Sequence, residues 1–189
     1  MRPSKRDEIV HKALQIFYEN GFHATAMDTL VAKTGISKTS MYNHFKSKED
    51  LIIAALRLRD EQFHEWFNKR IKELGTTPRS QLLAIFDALK EWFAQNEFSG
   101  CMFIKASSEY LDFNSPIHEI SSDHKRSILN DINLLAEKAG AKDAKKLSCG
   151  LFLLMEGAIS MAHLMHGTHS ATEAKASARV LIAEALDDK

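Results

Sequence analysis

The chain is poor in residues that interrupt regular structure, with three prolines and eight glycines among 189 residues. That scarcity, beside a hydrophobic share of 44%, excludes a disordered chain and leaves enough apolar material for one sizeable core or two smaller ones. Two cysteines, Cys101 and Cys149, are too few for a disulfide framework and fit a reducing compartment. Charges break the longest apolar runs within a few residues, and the opening MRPSKRDE lacks the apolar region of a signal peptide. The expectation is therefore a cytoplasmic protein with no membrane span. The nucleophile-elbow, phosphate-loop, dinucleotide-binding and zinc-protease patterns are also missing, so neither an enzyme nor a cofactor or metal is expected.

Charge of either sign is not lacking overall, since Lys and Arg total 25 and Asp and Glu total 25, but it is unevenly spread. Residues 1–48 hold eight basic and four acidic side chains, and the remainder holds 17 and 21. A basic head on an acidic body favours a polyanion at one end. Arg2 to Arg6 form a short basic arm in that head, suited to a phosphate backbone or to solvent.

The stretch MDTLVAKTGISKTSMYNHFKSK, residues 27–48, reads as helix, tight turn, helix. Leu30 and Val31 lie on one side of the first helix, Gly35 ends it, and Ile36 plugs the turn. Ser37 is placed to cap a second helix whose Met41 and Phe45 point inward. The other side of that helix carries Lys38, Thr39, Ser40, Tyr42, Asn43 and His44, more hydrogen-bonding groups than a structural helix needs. A helix-turn-helix lays such a surface in the DNA major groove.

These residues carry a family resemblance. Ala13 and Phe17, Gly21-Phe22, Thr25, Ala32, Gly35-Ile36-Ser37, Met41 to Phe45 and Ser47 to Leu51 together resemble the DNA-binding domain of TetR/AcrR-type bacterial regulators. The match spans the first quarter to third of the chain; the rest resembles the family in length and helical layout. The resemblance implies a DNA-binding transcriptional regulator of the repressor class, acting as a homodimer on double-stranded operator DNA and released by a small, largely apolar effector. It also implies that Thr25, the expected N-cap of helix 2, touches a phosphate.

Within the recognition helix, Lys38, Thr39 and Ser40 are candidates for base or near-base contacts, being at the end that points deepest into the groove. Tyr42, His44 and Lys48 are assigned to phosphates, with Asn43 among the same polar group. For His44, packing within the head is an equal alternative.

The fold expected is all-α, with about nine helices: a three-helix head, residues 1–48, and a helical effector and dimerisation body, residues 49–189. Helix 4, about 47–74, links the two. In the body, Phe63, Trp66, Phe67, Phe86, Trp92, Phe93, Phe103, Tyr110 and Met155 are candidates for an effector pocket, with Glu109 and Asn96 as orienting polar groups or, more readily, surface residues. Plain core packing is the alternative for every one of the large side chains. Leu147, Leu151, Leu154, Ala158, Met161 and Met165 recur at four and three residues, a seam expected with Ala178, Leu181 and Ile182 to face a second copy. Cys101, opening a short helix, is the candidate for an alternative function as a redox- or electrophile-sensing regulator. His163, His166 and His169 are spaced for metal binding but straddle a Gly-Thr break, so a polar helix end is favoured.

Overall fold

A computed structural model describes residues 4–186, and these contain nine α-helices and no strand. They are α1 Lys5–Asn20, α2 Met27–Thr34, α3 Lys38–His44, α4 Lys48–Leu74, α5 Pro78–Phe93, α6 Met102–Glu109, α7 Pro116–Lys138, α8 Ala144–Met165 and α9 His169–Ala185. Part of the basic arm, residues 1–3, lies outside the described residues.

Local chemistry sets most of these boundaries. Ser4 caps α1 through a reciprocal pair with Asp7, and the Ser4 hydroxyl beside that carboxyl lowers its pKa. Gly35 closes α2 in the left-handed conformation, φ 68°, which a glycine adopts at little cost. Ser37 accepts from the Ser40 amide to start α3, and Ser47 accepts from Asp50 to start α4. Thr77 and Pro78 start α5, and Asp143 starts α8. Helix α6 ends at Glu109.

The chain packs as two units. Residues 4–63 with Met102–His124 form the first; His64–Cys101 with residues 125–186 form the second. The division expected after residue 48 grouped α6 with the body, whereas packing groups it with α1 to α3. In the first unit, Ile9, Ala13, Phe17, Phe22, Leu30, Met41, Leu51 and Ile52 are fully buried, with Phe103 and Ala106 of α6 almost so. His124 is buried there too, stacked 3.6 Å from the Phe103 ring and 2.6 Å from Asp60 Oδ1 through its Nδ1.

In the second unit α8 and α9 form an antiparallel pair, with Ser170 donating to the Ala158 carbonyl and the Lys142 amide to the Ala185 carbonyl. Helix α5 packs on both. Lys175 reaches Asp87 at 2.6 Å, Lys125 reaches Glu156 at 2.7 Å, and Arg70 forms a two-pronged pair with Glu91. Among the described residues α8 has the length and apolarity to cross a bilayer, with a mean hydropathy of 1.5 over its most apolar window. This differs from the absence of a span expected from the broken apolar runs; much of that apolarity is core, since Leu147, Leu151, Met155, Ala158, Ile159 and Ala162 are buried within the chain.

Candidate nucleic-acid interface

The head separates its side chains as the pattern predicts. Leu30, Ile36, Met41 and Phe45 are buried, while Lys38, Thr39, Tyr42, Asn43 and His44 are exposed and Ser40 half-buried. One side of α3 is thus fixed by packing, and the other offers donors, acceptors and a phenol to solvent. The Arg6 guanidinium lies 5.1 Å from the Phe45 ring centroid, which brings a cation from the start of α1 to the end of α3. A groove of about 630 Å³ continues from there, with Arg6, His11, His44, Lys46 and Arg57 among its lining.

Several charged groups have partners that the sequence did not reveal. Lys38 Nζ sits 2.8 Å from Asp28 Oδ1, and this hydrogen bond raises the lysine pKa. A base contact by Lys38 has to exchange that carboxylate for a base edge. Lys48 Nζ donates to the Phe22 carbonyl at 3.1 Å, so the residue assigned to a phosphate also braces the turn between α1 and α2. Thr25 is fully buried and its Oγ1 donates to the Gly21 carbonyl at 2.7 Å. That overturns its expected place as N-cap: the cap of α2 is Ala26, which supplies no side-chain acceptor. The hydroxyl is consumed inside the turn and does not face outward.

Glu109, expected as an effector-orienting or surface group, instead accepts backbone hydrogen bonds from Phe22 and His23 in that turn. Tyr110 beside it packs 6.4 Å from the Phe22 ring and 4.7 Å from the His23 ring. Its hydroxyl is buried without a hydrogen-bond partner, and its pKa is pushed up to about 12, by burial first and then by the Glu49 and Glu109 charges. Asn96 is exposed.

The expected pocket residues are mostly core. Phe86, Trp92, Phe93 and Met155 are buried in the second unit, and Phe63, Phe103 and Tyr110 pack in the first. Phe67 is the member of that set that lines a second-unit cavity of about 220 Å³, walled also by Ile71, Ile85, Ile128 and Ile132. Trp66 packs against Phe67, ring centroids 6.0 Å apart. Asn68 and Asp131, 3.4 Å apart, give the cavity a polar edge. Large side chains at helical spacing were absorbed by packing, as the alternative reading allowed.

The seam on α8 behaves likewise. Leu147, Leu151, Ala158, Ala178 and Ile182 are buried within the chain, and Leu154 and Leu181 half-buried, while Met161 and Met165 are exposed. The outward apolar residues on α8 and α9 include Leu153, Leu164 and Val180, each at least 66% exposed. The seam is thus divided: Leu147, Leu151 and Ala158 close the chain's own core, while Met161 and Met165 stay on the outside. His163 lies against Gly100, His166 ends α8 with φ 50°, and His169 pairs with Glu173, so these three histidines are not gathered around one point.

Comparison with known proteins agrees with this geometry. Residues 9–55 match the family model for bacterial regulatory proteins of the tetR family. The chain is 24% identical over 156 residues to the HTH-type transcriptional regulator YjdC of Escherichia coli strain K12, covering 82% of each chain. It is 26% identical over 150 residues to the HTH-type transcriptional regulator QacR of Staphylococcus aureus, covering 71% of this chain and 79% of that one. A TetR-family regulator from Streptomyces coelicolor shares its fold with a TM-score of 0.89 at 23% identity, over 96% of this chain and 95% of the other. The reduced form of Escherichia coli NemR does so with a TM-score of 0.82 at 20% identity, over 92% and 94%. With its helix-turn-helix polar side turned to solvent, the chain carries over residues 9–55 the domain of the tetR family of bacterial regulatory proteins, and over most of its length it is similar to transcriptional regulators of the TetR/AcrR kind.

Proposed function

We propose that the protein is a homodimeric repressor that reads a two-part operator through α3 and leaves it on binding a small, largely apolar effector. The observation that carries the reading is the outward polar side of α3, Lys38, Thr39, Tyr42, Asn43 and His44, on a helix whose Met41 is fully buried. Lys38, Thr39 and Ser40 take the base edges, and Tyr42, His44 and Lys48 take phosphates. A second copy is supported by the exposed Leu153, Met161, Leu164, Met165 and Val180 on α8 and α9, an apolar surface that a lone chain leaves in water. Two α3 helices then meet major grooves about 34–36 Å apart or a multiple of that.

The effector is assigned to the 220 Å³ cavity, whose isoleucine walls suit an apolar body and whose Asn68 and Asp131 suit one polar group. That volume lies below the usual range for drug-sized ligands, so the effector is small. Electrophile sensing through Cys101 is the second reading. It is supported by the half-buried position of this thiol next to the first residue of α6 and by the fold shared with NemR.

Gel retardation with fragments of the host genome tests the main reading. A salt-sensitive shift at dimer stoichiometry is expected, and no shift even at low salt would end it. Loss of oxidant-induced release in Cys101→Ser, with release by other compounds intact, would favour the second.

A further inference from the structure

The turn that follows α1 has a backbone problem. Phe22 is fully buried with its ring 5.5 Å from that of Phe17, and its amide lies beyond the carbonyls that α1 offers, since the Gly21 amide takes the Phe17 carbonyl. A buried N–H in that position requires an acceptor from elsewhere. The acceptor is Glu109, the last residue of α6 and 87 positions away. The Phe22 amide donates to its Oε1 at 3.0 Å and its Oε2 at 3.1 Å, and the His23 amide donates to Oε2. Two adjacent N–H groups aimed at one carboxylate make charge-assisted bonds, stronger than their neutral counterparts.

The surroundings are shaped for this contact. A Cβ at Gly21, where φ is 83°, would sit 3.1 Å from Glu109 Oε1. On the opposite side of the same residue, the Phe22 carbonyl accepts from Lys48 at the start of α4. The turn therefore hangs between α6 and α4. It leads directly into α2, whose N-cap Ala26 contributes no side-chain acceptor, so the start of α2 is placed by the turn and by the Thr25 bond to Gly21.

We propose that Glu109 is a positioning residue for DNA recognition: by holding the Phe22 and His23 amides it fixes the turn from which α2, and with it α3, is suspended. The proposal rests on the reading of α3 as the DNA-facing helix. It adds a residue outside the helix-turn-helix, on α6, to the set that determines operator affinity.

The test uses the full chain and a duplex selected by the wild-type protein from random-sequence DNA. Glu109→Ala is expected to weaken binding by about tenfold or more while the salt slope stays unchanged, because no phosphate contact is removed. Glu109→Gln keeps one oxygen for the two amides and is expected to recover most of that loss, a rescue that a general packing role would not single out. In the free protein, hydrogen exchange at the Phe22 and His23 amides should accelerate at least about tenfold in the Ala variant. Ser108→Ala, on the same helix but bonded only to its own Ile104 carbonyl, should bind as wild type. Binding by Glu109→Ala within twofold of wild type, a Gln variant no better than Ala, or unchanged exchange at the two amides would each overturn the proposal. If wild-type protein selects no duplex, the DNA reading fails; the exchange measurement still decides whether the clamp exists.

Discussion

Lys38 and Tyr110 show how single side chains hold conflicting demands. Lys38 is tied to Asp28 across an exposed pair, both partners more than half exposed, and such pairs are readily exchanged. Lys38→Ala should therefore lower operator affinity and relax base preference, with discrimination falling roughly tenfold if the lysine makes a good base contact. Parallel titrations of operator and random duplex check it, and an equal loss on both would remove the base-reading role. Tyr110 carries a buried hydroxyl without a partner, a group that costs free energy for as long as it stays dry. Tyr110→Phe should be neutral or stabilising by about 1 kcal/mol near neutral pH, measured by denaturant unfolding. The same variant should change the alkaline limb. With the folded pKa raised from 10.0 to about 12, the neutral phenol is favoured in the native state. Its contribution is whole below about pH 10 and is lost as pH rises through 12, so the Phe variant should lose stability less steeply across that window.

At the scale of elements, the helix ends are where the chain's instructions are clearest. Ser37→Ala removes the acceptor at the start of α3 and should destabilise the head by about 1 kcal/mol, read from its melting transition. Ala26→Ser, by contrast, gives α2 the cap it lacks and should stabilise by about 0.5–1 kcal/mol. Ser4, Gly35, Ser37, Pro78 and Pro116 all act within a few residues of the boundary they set, and so those helix ends were legible in the sequence. The exposed polar side of α3 was legible for the same reason. Helix periodicity gives the apolar side, and the remaining residues must face out. What stayed hidden depends on distant partners. Nothing near Glu109 announces the amides of Phe22 and His23, and nothing near Lys38 announces Asp28 on the preceding helix. On α8 apolar residues occur on two sides, and the sequence contains no signal for which side meets α9 and α5; the regular seam is split, with Leu147, Leu151 and Ala158 buried and Met161 and Met165 exposed. Of the nine aromatic and methionine candidates, Phe67 lines the cavity and most of the others are core, because large side chains at helical spacing fill a core as readily as they line a void.

For the whole molecule, the proposed pairing rests on the outward residues of α8 and α9. Leu153→Glu with Leu164→Glu places two charges on exposed apolar positions, which costs the folded chain little but opposes burial against another copy. Sedimentation should show a dimer for the wild type and a monomer for this variant, whose operator affinity should fall by at least about a hundredfold because one α3 alone loses the tethered second contact. A double variant that stays dimeric would direct attention to another surface.

The first unit is written in two separate stretches, up to Phe63 and then Met102–His124. During synthesis the helix-turn-helix leaves the ribosome long before α6, and the carboxylate for the Phe22 amide follows 87 residues later. At ordinary translation speeds of about 5–20 residues per second, the nascent head waits roughly 4–17 s for it. A newborn chain thus has α3 before it has the brace for it. Fragments cut off after residue 63 should accordingly show helix by circular dichroism yet lack the cooperative melting of the finished protein.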